Sequence, residues 1–503
     1  MQEYDIIIVG SGIGGLVCGN ILSLEGLRVC VLEKNRQIGG CLQIYVRDKV
    51  IFDSGVHYLG GLEKGQTLHQ LFKYLGIVDK LRLERMDEDG FDHILVEGDP
   101  KAYRLAQGYP RFIASLTRDF PEEEVAINTY CAKMQELCSQ FPLYHLQRGG
   151  TLDQKTTAMR ISAQNYIESL TTNKQLQAVL GGNNILYAGY RRETPFHVHA
   201  LVLNSYIESA WRCLGGGATI AHFLAGNIRR LGGAVRSRAE VRAFRVQEGR
   251  VYHVELADGS KLCAKAFISN LAPAKTFELT QTDLIRKAYR GRIRALKQTV
   301  SVFILNLVLK EGVVPYEKHN YYFHKEGHSW DMADYNEENW PLGYAVYLSP
   351  SSAGPGFAAG MTIFTYMRFE EMAPWQNTEN TVTRQQDRGP DYAAFKRRKA
   401  EILLDAVGLR FSDLRSKIKS YNTATPLSFR DYIGSDDGSL YGIAKDFRDP
   451  FKTLIPARTK LPNLFLTGQN LHIHGILGAS LSGLVTAAAY LGNDAFIEKI
   501  SNA

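Results

Sequence analysis

The chain opens on a nearly unbroken apolar run, Tyr4 to Val9 (YDIIIV), and a glycine-rich turn (GSGIGG) follows. An apolar stretch with helical spacing then runs to Gly26, and a second apolar run spans Arg28 to Glu33 (RVCVLE). Short runs without alternation suit strands buried on both faces of a parallel sheet. Strand, glycine turn, helix and strand within about 30 residues predict a βαβ unit. From about Thr67 to Leu214, long mixed stretches such as EEEVAINTYCAKMQELCSQF predict a mostly helical region. A further helix is predicted from Ala218 to Leu231, and residues 232–270 alternate and turn like a β-meander. Strand patterns return at TVSVFILNLVL, PLGYAVYLS and GMTIFTYMRF, and from Leu464 the pattern is strand (LFLTG), loop (QNLHIH) and apolar helix (GILGASLSGLVTAAAYLG).

No internal repeat or low-complexity linker separates these blocks, which predicts interleaved domains. The expected fold class is α/β. A Rossmann-like nucleotide-binding domain takes 1–66, 215–275 and 455–503, and an α+β substrate domain with a mixed sheet and a helical cap takes 67–214 and 276–454. With 45% hydrophobic and 22% charged residues in 503, the composition excludes disorder and supports a core that needs no staples. The seven cysteines are odd in number, scattered and without a CxxC pair, which argues against a disulfide framework or a zinc site. No metal is therefore expected, and a reducing, cytoplasmic setting is. No run of about 18 apolar residues predicts a membrane span, and Glu3 and Asp5 sit where a signal peptide is basic. The net charge of +7 is uneven: Arg286, Lys287, Arg290, Arg292, Arg294 and Lys297 cluster, as do residues 396–399. These clusters read as solvated faces or as contacts with the anionic face of a membrane, giving peripheral attachment. No motif accompanies them that would indicate nucleic acid.

Gly10, Gly12 and Gly15 form GxGxxG at the first strand-to-helix turn, with Ser11 and Gly14 in the same turn. Such glycines permit the tight turn, the approach of backbone to a pyrophosphate, and close helix–strand packing. The phosphates then face a helix N-terminus. Glu33 ends the second strand, where it can accept hydrogen bonds from a ribose. A glycine turn that merely packs against a neighbour explains the glycines but not Glu33. An acid there fits the unphosphorylated ribose of NAD or FAD. Gly39–Gly40, the FDSGVHYLGG stretch and the C-terminal LFLTGQNLHIHGILG segment favour FAD, whose length needs elements beyond the first βαβ unit. A helix opening near Gly475 to Gly478 would aim its positive end at the flavin ring.

With these pieces, and with ATPLSFRDYIGSDDGSLYGI and GGxxxIAxxLxxxIxxLGG, the chain resembles the flavin amine oxidase and phytoene desaturase superfamily. Within it, the resemblance is to the branch of bacterial-type phytoene desaturases, carotenoid isomerases and all-trans-retinol saturases. It implies that backbone at Val241 holds the adenine, and that FAD is bound non-covalently, since the C-terminal flavin segment holds no cysteine. Many relatives carry an aspartate after the glycine of the C-terminal strand. Here Gly468 is followed by Gln469, an amide that can still donate and accept.

The resemblance also places His57 and Tyr441 beside the flavin, His57 as a proton source and Tyr441, with Tyr432, as a pocket wall. A histidine satisfied at a strand end and ordinary aromatic packing are the competing readings, and His472 and His474 share this ambiguity. Asp436 and Asp437 read as a turn before Gly438, and Cys131 and Cys138 as core. The helical middle, with FPLYHL and Trp211, is expected to cap an apolar tunnel. The implied activity is FAD-dependent saturation, desaturation or isomerisation of carbon–carbon bonds in a long polyene or isoprenoid lipid. An amine- or protoporphyrinogen-type oxidase and a non-enzymatic prenyl-lipid carrier are the alternatives. No second GxGxxG follows, so electrons are expected to come from, or go to, a separate partner that the sequence does not identify.

Overall fold

The computed structural model describes residues 4–149, 152–351 and 356–503. Its first sheet has seven strands. The parallel core sets Ala234–Arg236, Val29–Leu32, Tyr4–Val9 and Lys261–Ser269 side by side. Leu464–Leu466 pairs in parallel with the end of Lys261–Ser269, whose beginning joins an antiparallel meander of Arg250–Leu256 and Val241–Gln247. Every residue of Val29–Leu32 is buried, which is why that strand carries no polar alternation.

The helices Ile13–Leu24, Ala218–Arg230 and Gly475–Leu491 pack with this sheet in one core. The first and last of these approach at backbone distance: a Cβ on Gly483 would lie 2.8 Å from the carbonyl oxygen of Gly14. The chain's start and its end are thereby locked together.

The second sheet, also of seven strands, runs Ile418–Ala424, Ser301–Leu309, Ala358–Met367, Gly343–Pro350, Asn320–His324, Asp92–Val96 and Ala102–Leu105. Its pairings are antiparallel except Asn320–His324 with Asp92–Val96. Helices from Tyr109–Asp119 to Phe196–Glu208 cover one face in a core rich in tyrosine and phenylalanine. The middle region is thus helical but not purely so, since it lends Asp92–Val96 and Ala102–Leu105 to this sheet. Its first helix, Thr67–Tyr74, sends Leu68, Leu71 and Phe72 into the nucleotide-domain core, so packing carries that domain past residue 66.

The basic clusters are partly consumed inside the fold. Arg290 donates to the carbonyls of Phe277, Ile285, Thr280 and Thr282. Lys399 is buried, 2.8 Å from Glu371 and over the Trp340 ring. Among the described residues no helix is long and apolar enough to cross a membrane.

Candidate active site

The carboxyl ends of the parallel strands open onto a cleft of about 270 Å³. Gly10, Ser11, Gly12 and Gly14 form its floor, and Glu33, Gly39, Gly40, Val241, Gly468, Gln469 and Gly475 line it. The turn after Tyr4–Val9 works as the glycine spacing indicates. Gly10 adopts φ +98°, a conformation that L side chains rarely adopt. Gly15 lies behind the cleft, where a Cβ would stand 2.4 Å from the Gly10 oxygen, so its task is helix–strand packing. Gly478 likewise stays out of the cleft, packed on the Ile473 carbonyl, and lines a second cavity.

Glu33 is buried and already engaged. Its Oε2 accepts from the Ser11 hydroxyl and, at 3.2 Å, from the Ser11 N–H; its Oε1 accepts from the Asn35 N–H at 2.9 Å. The Ser11 hydroxyl in turn accepts the Gly39 N–H at 2.9 Å, tying the second glycine pair to the first turn. A carboxylate offers about four acceptor directions, so Oε1 retains capacity for a ribose hydroxyl.

One cleft residue escaped the sequence reading. Asn270, just past Lys261–Ser269, lies against the glycine turn: Cβ atoms on Gly10, Gly12, Gly14, Gly15 or Gly468 would each meet it within 3.5 Å. Its amide donates to the Gly10 carbonyl at 3.3 Å. The available signal was its place at the carboxyl end of a parallel strand, where open α/β sheets bind ligands.

Cys41 also lines the cleft, but burial pushes its thiol up to about 11, leaving it protonated and a poor nucleophile. Tyr441 and Tyr432 line the cleft as well, and the Tyr441 hydroxyl donates to the Ile185 carbonyl at 3.0 Å. Gln469 reaches the Leu440 carbonyl at 3.4 Å, and Asn470 accepts the Ile443 N–H at 3.0 Å. The amides thus close the loop that faces Tyr441.

A second cavity, of about 350 Å³, is walled chiefly by apolar and aromatic side chains, among them Phe141, Leu143, Tyr144, Leu186, Leu201 and Tyr206. FPLYHL therefore contributes to it. Trp211 does not; it is held by the Ser209 hydroxyl and by Arg85. The cavity and the cleft share Gly475 and Ile476, the first turn of Gly475–Leu491. That helix has no side-chain cap and no acidic residue in its first turn, so its N–H groups remain available at the junction.

His57 lines neither cavity. Its ring stacks on Tyr347, with centroids 4.2 Å apart, its Nε2 has no partner, and burial lowers its pKa to about 3. It is a neutral imidazole. His472 and His474 line the apolar cavity, with pKa values lowered by burial to about 4 and about 3. Asp437 accepts the Ser439 N–H across a turn with Gly438 at φ +66°, and Cys131 and Cys138 are buried in the helical core.

A buried polar network sits beside His57. The Tyr58 hydroxyl donates to Asp92 at 2.8 Å and meets the Tyr322 hydroxyl at 2.8 Å, which in turn meets that of Tyr347 at 3.3 Å. Burial pushes Asp92 up to about 7. Tyr58 packs on Tyr206, with ring centroids 4.4 Å apart, and Tyr206 faces the apolar cavity.

Residues 8–75 match the NAD(P)-binding Rossmann-like domain family. Over 537 aligned residues the chain is 27% identical to all-trans-retinol 13,14-reductase of Macaca fascicularis, covering 97% of this chain and 86% of that one. It is 24% identical over 523 residues to the chloroplastic prolycopene isomerase of Daucus carota, covering 98% and 81%. Among solved structures, an oxidoreductase from Methanosarcina mazei shares the fold, with a TM-score of 0.64 at 14% identity over 97% of this chain and 100% of that one. These relatives fall in the branch that the motifs indicated.

Proposed function

We propose that the protein binds FAD non-covalently and uses it to saturate, desaturate or isomerise carbon–carbon double bonds of a long apolar polyene or isoprenoid lipid. The observation that carries this reading is the junction at Gly475 and Ile476, where a dinucleotide cleft meets an apolar cavity. The names of the relatives, a retinol reductase and a prolycopene isomerase, support it. The cleft fits FAD. Backbone from Gly10 to Gly14 would hold the pyrophosphate, Glu33 the ribose and the Glu240–Val241 segment the adenine, with Gly468 to Asn470 on the side of the ribityl chain and ring; all of these residues line the cleft. A protonated, enclosed Cys41 agrees with non-covalent binding.

FAD held there supplies two-electron chemistry at the cavity mouth. The chain's own residues do the rest. The apolar wall excludes water and aligns the polyene, and the first turn of Gly475–Leu491 favours negative charge at the junction. Tyr206 holds a proton at its hydroxyl, because burial raises its pKa and, among the described residues, no group takes the hydroxyl as a partner. It is the group we assign to proton delivery, with Tyr441 as the wall of the cleft and His57 as a positioning residue behind Tyr347.

The test is anaerobic: reduce the flavin of the purified holoprotein, add retinoids and carotenoids, and weigh the products. A gain of two hydrogens marks saturation, and an unchanged mass with altered geometry marks isomerisation. Reoxidation by amines with release of peroxide would instead support the amine-oxidase alternative. Protein that stays colourless after reconstitution with FAD would support the carrier.

A further inference from the structure

The apolar cavity has one polar corner. Lys155, His197, His472 and His474 all line it, and among the described residues no aspartate or glutamate does. Lys155 has no carboxylate or other hydrogen-bonding partner among the described residues. His197 and His474 are each 5% exposed, and both have a buried Nδ1 without a hydrogen-bond partner among the described residues. His472 is exposed and lines the cavity. Behind this corner Lys445, which donates to the Thr453 carbonyl at 3.2 Å, acts electrostatically on all three imidazoles, and Lys155 acts on His472.

Buried polar atoms are almost always hydrogen-bonded, and unpaired ones mark a missing partner. A hydrocarbon tail gives an imidazole and an ammonium nothing to bond. From this corner we infer that the substrate is a lipid acid, whose terminal carboxylate is held by Lys155 and His472 with His197 beside them. The inference rests on the apolar cavity being the substrate cavity and deepens that reading. One unpaired ammonium at the wall balances one negative charge. Neutral imidazoles, each with a single N–H to donate, suit a planar carboxylate better than a diphosphate, which carries two or three charges and calls for more cations. His472 is three residues before Gly475, so the chain sets the head group no more than about 11 Å of backbone from the cleft junction.

The experiment uses the FAD-loaded full chain and three fluorescent probes: trans-parinaric acid, its methyl ester and its alcohol. The acid is expected to bind at least about tenfold tighter than ester or alcohol, on the scale of one charge-assisted hydrogen bond. Lys155→Gln should bring the acid down to the affinity of the ester while leaving the ester unchanged, and Lys155→Arg should keep most of the preference. Equal binding of acid and ester by the unaltered protein would overturn the inference, whatever the variants do. So would a Lys155→Gln loss shared equally by all three probes, or tighter binding of geranylgeranyl diphosphate than of the acid. Product analysis separates the two readings. Conversion of alcohol and ester as efficiently as acid removes the head-group site and leaves the redox reading standing. Selective binding of the acid with no lipid converted does the reverse.

Discussion

The nucleotide cleft is walled largely by backbone, and the apolar cavity by side chains, although the two share a helical turn. In the cleft, Gly10, Gly12, Gly14, Gly39, Gly40 and Gly468 leave main chain facing the ligand, and the one deeply placed carboxylate, Glu33, is already satisfied by Ser11 and Asn35. In the cavity, rings and branched chains from several segments converge, and two buried imidazole nitrogens have no partner at all. The first site is finished before its ligand arrives. The second still lacks part of its hydrogen bonding. A cofactor that never changes suits the first kind of wall, and a substrate recognised by its chemistry suits the second.

If that contrast holds, the cleft should tolerate no added side chain. A Cβ on Gly14 would stand 2.9 Å from the Gly468 Cα and 3.1 Å from the Ala479 oxygen, both backbone atoms with nowhere to go. Gly14→Val is expected to give protein without visible flavin absorbance, even after reconstitution. A cavity-wall change such as Leu201→Ala should retain full flavin and cost about 2–5 kcal/mol of stability at most. Full flavin occupancy in Gly14→Val would remove the cleft from the cofactor's path.

The cavity side carries the next largest effect. His57, His197, His199 and His474 are all held neutral by burial, with pKa values of about 3 against an ordinary 6.5. A folded-state pKa below the unfolded one means that the unfolded chain takes up protons first as pH falls. The stability these histidines contribute is therefore whole above pH 6.5 and declines below it, by roughly 1.4 kcal/mol per pH unit for each until about pH 3. The decline is offset in part by the carboxyls of Asp53 and Asp92, which burial pushes up to about 7 and which act in the opposite sense. Urea melts at descending pH should show this acid loss. A flat profile between pH 6.5 and 5 would mean that the folded rings take up protons as readily as the unfolded ones, held by acceptors that the fold does not show.

The same contrast explains what could be read from the sequence. Gly10 and Gly15 stand out because φ +98° at the first, and a 2.4 Å approach of a Cβ to the Gly10 oxygen at the second, admit only glycine. At Gly12 a Cβ would meet the Asn270 amide, so the spacing marked the first turn, with Glu33 at the end of the next strand. The end-to-end closure was legible for the same reason, since LTGQNLHIHG restates a strand, a turn and a helix start. Asn270 was not, because one amide at a strand end has no local signature; only the five glycines lying against it reveal its place. His57 was assigned by its motif. The fold stacks it on Tyr347 of the second sheet, a contact invisible from neighbours in sequence. Lys155, His197 and His472 come from three separate segments, so their meeting in one corner is a property of the tertiary fold.

Catalysis probes where the two sites touch. If Tyr206 delivers the proton, Tyr206→Phe should slow turnover about 10²–10⁴-fold, the span of positioned acids and bases, with flavin content unchanged. His57→Gln should cost less than about tenfold, because that neutral ring lines neither cavity. Reversed sizes would return the proton to His57 and recast Tyr206 as wall.

A further effect falls on the cleft's most conspicuous side chain. Glu33 is an obvious ribose acceptor, yet three of its acceptor positions already serve Ser11 and Asn35. Removing it as Glu33→Ala costs one hydrogen bond from the ribose, and it also loosens the Ser11 hydroxyl that receives the Gly39 N–H. Titrating the apoprotein with FAD should show affinity reduced by about 1–3 kcal/mol, the range for a bond to a charged group. Glu33→Gln distinguishes the two contributions. Its amide oxygen can accept from the ribose or from Ser11 but not from every present donor, and its NH2 faces donors already in place. If ribose recognition dominates, Gln should recover most of the lost affinity; if the internal tie dominates, Gln should be as weak as Ala. Affinity unchanged in both variants would leave FAD held by backbone alone, the contrast between the two walls in its most extreme form.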